Sequence, residues 1–105
     1  MKPAIRSALA EQDIQSAVAF HIAESVDAAS GFIDELERAT AHIESHPATG
    51  SPRFAQELNI PRLRFWPLRH FPFALFYIEH TDHLDVIRCV HMSRDIPASL
   101  RDDVP

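Results

Sequence analysis

The chain has 105 residues and a mass of 11.9 kDa, a length that suits one compact domain and not two. Hydrophobic residues make up 46% and charged residues 24%, globular proportions that argue against wholesale disorder. Fifteen acids against ten bases give a formal net charge of -5, which counts against a protein that coats nucleic acid.

In chain order, residues 3–7 form a short candidate strand. The first six residues lack the apolar core of a signal peptide, and no apolar stretch approaches the ~20 residues of a membrane span, so a cytoplasmic location is expected. Ile14, Ala17, Val18 and Ile22 recur at helical spacing and predict one helix. The pattern breaks near Ser25, and Asp27 is the expected N-cap of a second helix. That helix carries Phe32, Ile33, Leu36, Ala39, Thr40 and Ile43 on one stripe and stops at His46-Pro47. Two helices joined so tightly should form an antiparallel hairpin.

Residues 48–61 hold Gly50, Pro52, Asn59 and Pro61 and read as a loop, with a helical turn over residues 54–58. In the next strand, Leu63 and Phe65 alternate with Arg62, Arg64 and Trp66. Residues 73–78 are nearly all apolar, as in a strand buried on both faces. A polar turn over residues 80–83 leads to a Val- and Ile-rich strand over residues 84–91. Asp95 can start a short last helix. The order β-α-α-β-β-β gives an α+β domain over residues 1–105, a helical hairpin packed on a small antiparallel sheet.

Charge and aromatics divide unevenly. Residues 1–46 hold eight acids and three bases, residues 47–100 five acids and six arginines. Seven of nine aromatics lie between Phe54 and Tyr77. With only Gly31 and Gly50 present, a glycine-rich phosphate loop is excluded. Cys89 is the single cysteine, so no intrachain disulfide forms, and it reads as a small core residue without an activating base. His42 and His46 are one helical turn apart, but no third ligand is placed beside them, so no metal and no cofactor are expected. His80 and His83 read as polar turn residues. Glu35 and Glu37 point to different sides of their helix and do not act as a pair. Arg62, Arg64, Trp66 and Arg69 have the composition of an interaction hot spot.

Phe71-Pro72-Phe73-Ala74-Leu75-Phe76-Tyr77, followed by the run from Asp85 through Arg88, His91 and Arg94-Asp95 to Ile96, resembles the ParE/RelE toxin superfamily of type II toxin–antitoxin systems. Ala28-Ala29, Phe32, Leu36, Ile43, His46-Pro47, Gly50 and Leu63-Arg64 extend the resemblance over almost the whole chain. It implies the RelE/ParE-like fold and a plasmid-stabilisation toxin neutralised by a ParD-like antitoxin in a hetero-oligomer, with no membrane and no sequence-specific DNA binding of its own. It also implies one of two targets. RelE-like members cut mRNA on the ribosome, whereas ParE-like members inhibit DNA gyrase without hydrolysis.

The nuclease branch places an Arg where this chain has Ala74 and a late Tyr where it has Leu100. The ParE-like branch with gyrase as target is therefore favoured, and no catalytic residue is expected. Arg62, Arg64, Trp66, Arg69 and Arg94 are the expected contacts to target or antitoxin. A nuclease would have to rely on His91, Arg94 and Arg64, with Asp95 orienting the histidine unless it only caps the last turn. A non-toxic interaction module of the same fold is the third reading. The sheet should stay partly open until an antitoxin segment lies on it as an added strand or as a helix in a groove.

Overall fold

The computed structural model describes residues 1–101: β1 (Ala4–Arg6), α1 (Ala8–Glu24), α2 (Val26–Ser45), a 3-10 turn (Pro47–Thr49), β2 (Leu63–Pro67), β3 (Phe73–Glu79), β4 (Leu84–His91) and α3 (Ile96–Arg101). The acidic pair Asp102-Asp103 lies outside the described residues.

Serines start both long helices. Ser7 Oγ accepts from the Ala10 N–H and Ser25 Oγ from the Ala28 N–H, at 3.0 and 2.9 Å, each satisfying one donor that a helix start leaves open. Ser25, and not Asp27, is therefore the cap of α2. Its own N–H donates to the His21 carbonyl at 3.0 Å, so one residue closes α1 and opens α2. On α2 the apolar stripe is buried as read, at Phe32, Leu36, Ala39 and Ile43, while Ile33 is largely outside. On α1, Ile22 is 55% exposed and His21 is buried in its place. His21 Nδ1 lies 2.6 Å from the Ala17 carbonyl and its ring stacks on Phe32 at 4.9 Å. The hydrogen bond satisfies the polar edge and the stack buries the apolar face.

The sheet order is β1-β4-β3-β2. β2, β3 and β4 pair antiparallel, but β1 pairs parallel with β4, Ala4 opposite Leu84 and Arg6 opposite Val86. The sheet is thus mixed and not wholly antiparallel. The loop over residues 46–62 carries the chain back along the sheet, so β2, and with it β4, runs in the direction of β1. A bulge at Ile87 shifts the β3–β4 register between Phe76 and Tyr77.

Each face of the sheet has its own core. Under the helices, Leu75, Tyr77, Leu84, Val86 and Cys89 meet Ile14, Phe32, Leu36 and Ile43. On the other face, Leu63, Ala74, Phe76 and Val90 are covered by Phe54 from the loop and by Ile96 and Leu100 from α3. Phe65 stacks on Phe76 there at 5.4 Å.

The outer edge of β2 is closed to further strands. Ser51 bonds both the N–H and the carbonyl of Phe65, at 3.0 and 2.9 Å, and the Leu63 N–H donates to Ile60 at 3.2 Å. Alternation turns Arg64 and Trp66 toward β3, and Pro67 has no N–H. No backbone donor is left on that edge for an incoming strand.

Candidate functional site

The five candidate contact residues are not brought to one place; they divide among three clefts. Trp66 and Arg69 line a groove of about 530 Å³ between α2 and β2, with Arg38, His42 and Leu68. Arg94 lies on a cleft of about 540 Å³ between α1 and the end of β4, beside Asp13, Phe20, Phe73 and His91. Arg62 and Arg64 lie on a smaller cleft of about 320 Å³ with Lys2 and Glu79.

In the α2–β2 groove, Trp66 projects toward the helices because alternation along β2 puts it on the face opposite Leu63 and Phe65. Its ring is half-buried and stacks on His42 at 4.5 Å, and His42 stacks on His46 at 5.1 Å. The His42 Nε2 lies 3.1 Å from Thr49 Oγ1. The histidine pair thus packs the tryptophan and the loop. Among the described residues no three His, Cys, Asp or Glu side chains group as a metal site requires. Pro67, Leu68 and Ala39 add apolar floor, and Arg38 and Arg69 bring guanidinium groups. Arg38 pairs with Glu35, which is otherwise buried; this pairing explains why that carboxylate is tolerated inside.

Arg64 is held by the backbone. Its Nη1 donates to the Ala48 and Gly50 carbonyls at 3.2 and 2.7 Å. The same loop is clamped by Tyr77, whose hydroxyl donates to the Pro47 carbonyl at 2.6 Å and accepts from the Gly50 N–H at 3.0 Å. Burial pushes the Tyr77 phenol up from its ordinary pKa, so it stays a donor through the physiological range. Gly50 is needed for the close approach, since a Cβ there would meet the Tyr77 hydroxyl at 2.5 Å and the Phe65 carbonyl at 2.9 Å.

The α1–β4 cleft holds two of the three candidate nuclease residues. His91 Nδ1 lies 2.7 Å from Ser93 Oγ and accepts the Ser93 N–H at 3.1 Å, which makes it the closing element of a tight turn. Asp95 does not orient it. Asp95 Oδ1 accepts from the Ala98 N–H at 3.2 Å, the cap arrangement. Arg64 stands opposite Tyr77 on β3 and His91 opposite Phe73, so most of the strand separates them and no triad forms. Phe20 is 61% exposed at the rim of this cleft.

At the back of the cleft is a pair that sequence reading missed. Arg88 Nε and Nη2 donate to the two Asp13 carboxylate oxygens at 2.6 and 2.9 Å. Asp13 Oδ2 also accepts the Cys89 N–H at 3.0 Å, which occupies the β4 edge where β1 ends. The partners are 75 residues apart, and no local pattern links them. Burial, then the negative charge of Asp13, pushes the Cys89 thiol up to about 12. The folded state therefore keeps a proton that the unfolded chain loses near its ordinary value of 9.0, and this contribution to stability is present below that value and lost as pH rises through it toward 12. Native protein at pH 8 should resist alkylation of Cys89, and protein unfolded in urea should react readily; fast labelling of the native form would contradict this burial.

The family model described as the ParE toxin of the type II toxin–antitoxin system parDE matches residues 5–96. No curated protein sequence matches significantly. Among solved structures, a chain of the chromosomal ParDE TA system from P. aeruginosa superposes with a TM-score of 0.69, covering 87% of this chain and 96% of that one at 13% identity. At that identity the likeness is one of fold.

Proposed function

Because this chain belongs to the ParE toxin family of type II toxin–antitoxin systems, we propose that it is a cytoplasmic toxin that inhibits DNA gyrase by binding it, and that a cognate ParD-like antitoxin silences it in a hetero-oligomer. The observation that carries the choice of gyrase over the ribosome lies on the second face of the sheet. Ala74 and Leu100, where the nuclease branch has its Arg and Tyr, are both fully buried in one apolar cluster. A face filled by side chains and covered by α3 offers no room for an RNA strand or for a general acid beside it. The net charge of -5 disfavours docking on ribosomal RNA. No described helix is long and apolar enough to cross a membrane.

The antitoxin segment fits the α2–β2 groove best, as an acidic amphipathic helix. An apolar floor of Trp66 and Leu68 suits a helix face, the Arg69 guanidinium suits its acids, and the closed β2 edge excludes strand addition beside it. Trp66→Ala and Arg69→Ala should each weaken antitoxin binding about tenfold or more, measured by calorimetry. Arg94, exposed on the separate α1–β4 cleft, is assigned to the target. Arg94→Ala should relieve growth arrest while leaving antitoxin affinity unchanged, and Arg101→Ala should alter neither growth arrest nor antitoxin affinity. Expression without antitoxin should give filamentation and a DNA-damage response, and the purified chain should inhibit gyrase supercoiling. Prompt arrest of translation with cut messages would replace this reading with the RelE-like one, and harmless expression of folded protein with that of an interaction module.

A further inference from the structure

The cleft at the N-terminal end of β2 is left unexplained by either partner. It is lined by Lys2, Arg62, Arg64, Glu79, His80 and Thr81. Three fixed cations share it with one carboxylate, a local surplus of two positive charges on a chain whose net charge is -5. Glu79 is already engaged, since its Oε2 accepts from Lys2 Nζ at 2.7 Å, and Lys2 Nζ also donates to the His80 carbonyl at 2.9 Å. Neither guanidinium has a carboxylate partner among the described residues. Arg62 Nη1 donates to the Glu79 carbonyl at 3.0 Å, and Arg64 Nη1 to the two loop carbonyls named above. Bonds to neutral oxygens fix the two guanidinium groups in place and leave their charges uncompensated. Each guanidinium has five N–H donors, and these bonds involve a single nitrogen of each. Arg62 also takes a φ of 69°, the left-handed region that a side-chain-bearing residue adopts at a cost.

We propose that this cleft binds a doubly charged phosphate, either inorganic phosphate or the terminal phosphate of a nucleoside monophosphate. Charge selects the ligand: a dianion matches the surplus of two, whereas a carboxylate leaves half of it unmet. Geometry agrees, because two planar forks and an ammonium group suit a tetrahedral oxyanion. A cleft of about 320 Å³ takes a phosphate and the group it is attached to, but not a peptide helix. The site is independent of the toxin reading, and its test needs neither gyrase nor antitoxin.

The test is calorimetric titration of the purified chain with inorganic phosphate, with AMP and with acetate at constant ionic strength. Phosphate or AMP should bind in the millimolar range or tighter, and acetate about tenfold more weakly. Tighter binding of AMP assigns a nucleotide, and equal binding assigns phosphate itself. Arg62→Gln should weaken binding about tenfold, while Arg53→Gln, which removes the same charge outside the cleft, should not. Glu79→Gln should strengthen binding several-fold, a gain that a folding defect does not produce. The proposal is overturned if neither phosphate nor AMP binds, if acetate binds as well as they do, or if Arg53→Gln weakens binding as much as Arg62→Gln.

Discussion

Replacing Asp13 with Ala is expected to destabilise the fold by about 3–5 kcal/mol, the largest effect of any single polar substitution among the described residues. Asp13 and Arg88 are the most enclosed ion pair among the described residues, with side chains 16% and 9% exposed. The substitution takes the carboxylate away from a guanidinium that stays inside, and it removes the acceptor of the Cys89 N–H as well. The loss is therefore greater than the strength of the pair itself. Asp13→Asn keeps one acceptor oxygen and should fall between wild type and Asp13→Ala. The double change Asp13→Leu with Arg88→Met removes both members of the pair and should be milder than Asp13→Ala alone, because neither is left in the apolar surroundings without the other. Urea unfolding of the four proteins checks the order; a double variant less stable than Asp13→Ala would show that the pair does not act as a unit.

Leu100→Ala is expected to cost about 2–5 kcal/mol and to change the surface as well as the stability. At six residues α3 is too short to be helical by itself. It is held by Ile96 and Leu100 in the cluster beneath it, by the Asp95 cap and by Arg88 Nη1, which donates to the Ser99 carbonyl at 3.0 Å. Removing the Leu100 side chain should loosen α3 and uncover Phe76 and Val90. The variant should bind a hydrophobic dye under conditions where the wild type does not, and Ala98→Ser, on the exposed side of the same turn, should leave dye binding unchanged. A destabilised Leu100→Ala protein that binds no dye would mean that α3 does not cover the sheet.

The helices show what local pattern conveys. On α2 the apolar residues fall on one stripe, so Phe32, Leu36, Ala39 and Ile43 are assigned to the core by spacing alone, and His46-Pro47 marks the end. α1 is apolar around most of its circumference, with Leu9, Phe20 and Ile22 exposed, so spacing cannot choose its buried face. That is why Ile22 reads as core and His21, an aromatic ring with one satisfied nitrogen, does not. Ser25 is missed as a cap because the residue at once closes one helix and opens the next. The parallel pairing of β1 depends on where the chain returns some 80 residues later, which no three-residue strand records.

The site is less legible than the fold for the same reason. Arg62, Arg64, Trp66, Arg69 and Arg94 are recognised by composition, yet composition carries no direction. β2 sends Trp66 toward α2, the backbone binds Arg64, and Arg94 belongs to the far end of β4. The partners that define each cleft, Arg38 and His42, Lys2 and Glu79, Asp13 and Phe20, come from segments remote in sequence. The identities of Ala74 and Leu100 are legible in the sequence, but that both side chains sit in one sealed cluster emerges only from the packing.

The proposed function makes this chain a binder through the clefts beside its sheet and not a place where phosphodiester bonds are broken. Its most direct test is to add the purified chain to two reactions in parallel, gyrase supercoiling of relaxed plasmid and translation of a defined message on ribosomes. Loss of supercoiling with the message intact is the predicted result. A message cleaved at codons in the ribosome, with supercoiling unaffected, would contradict it.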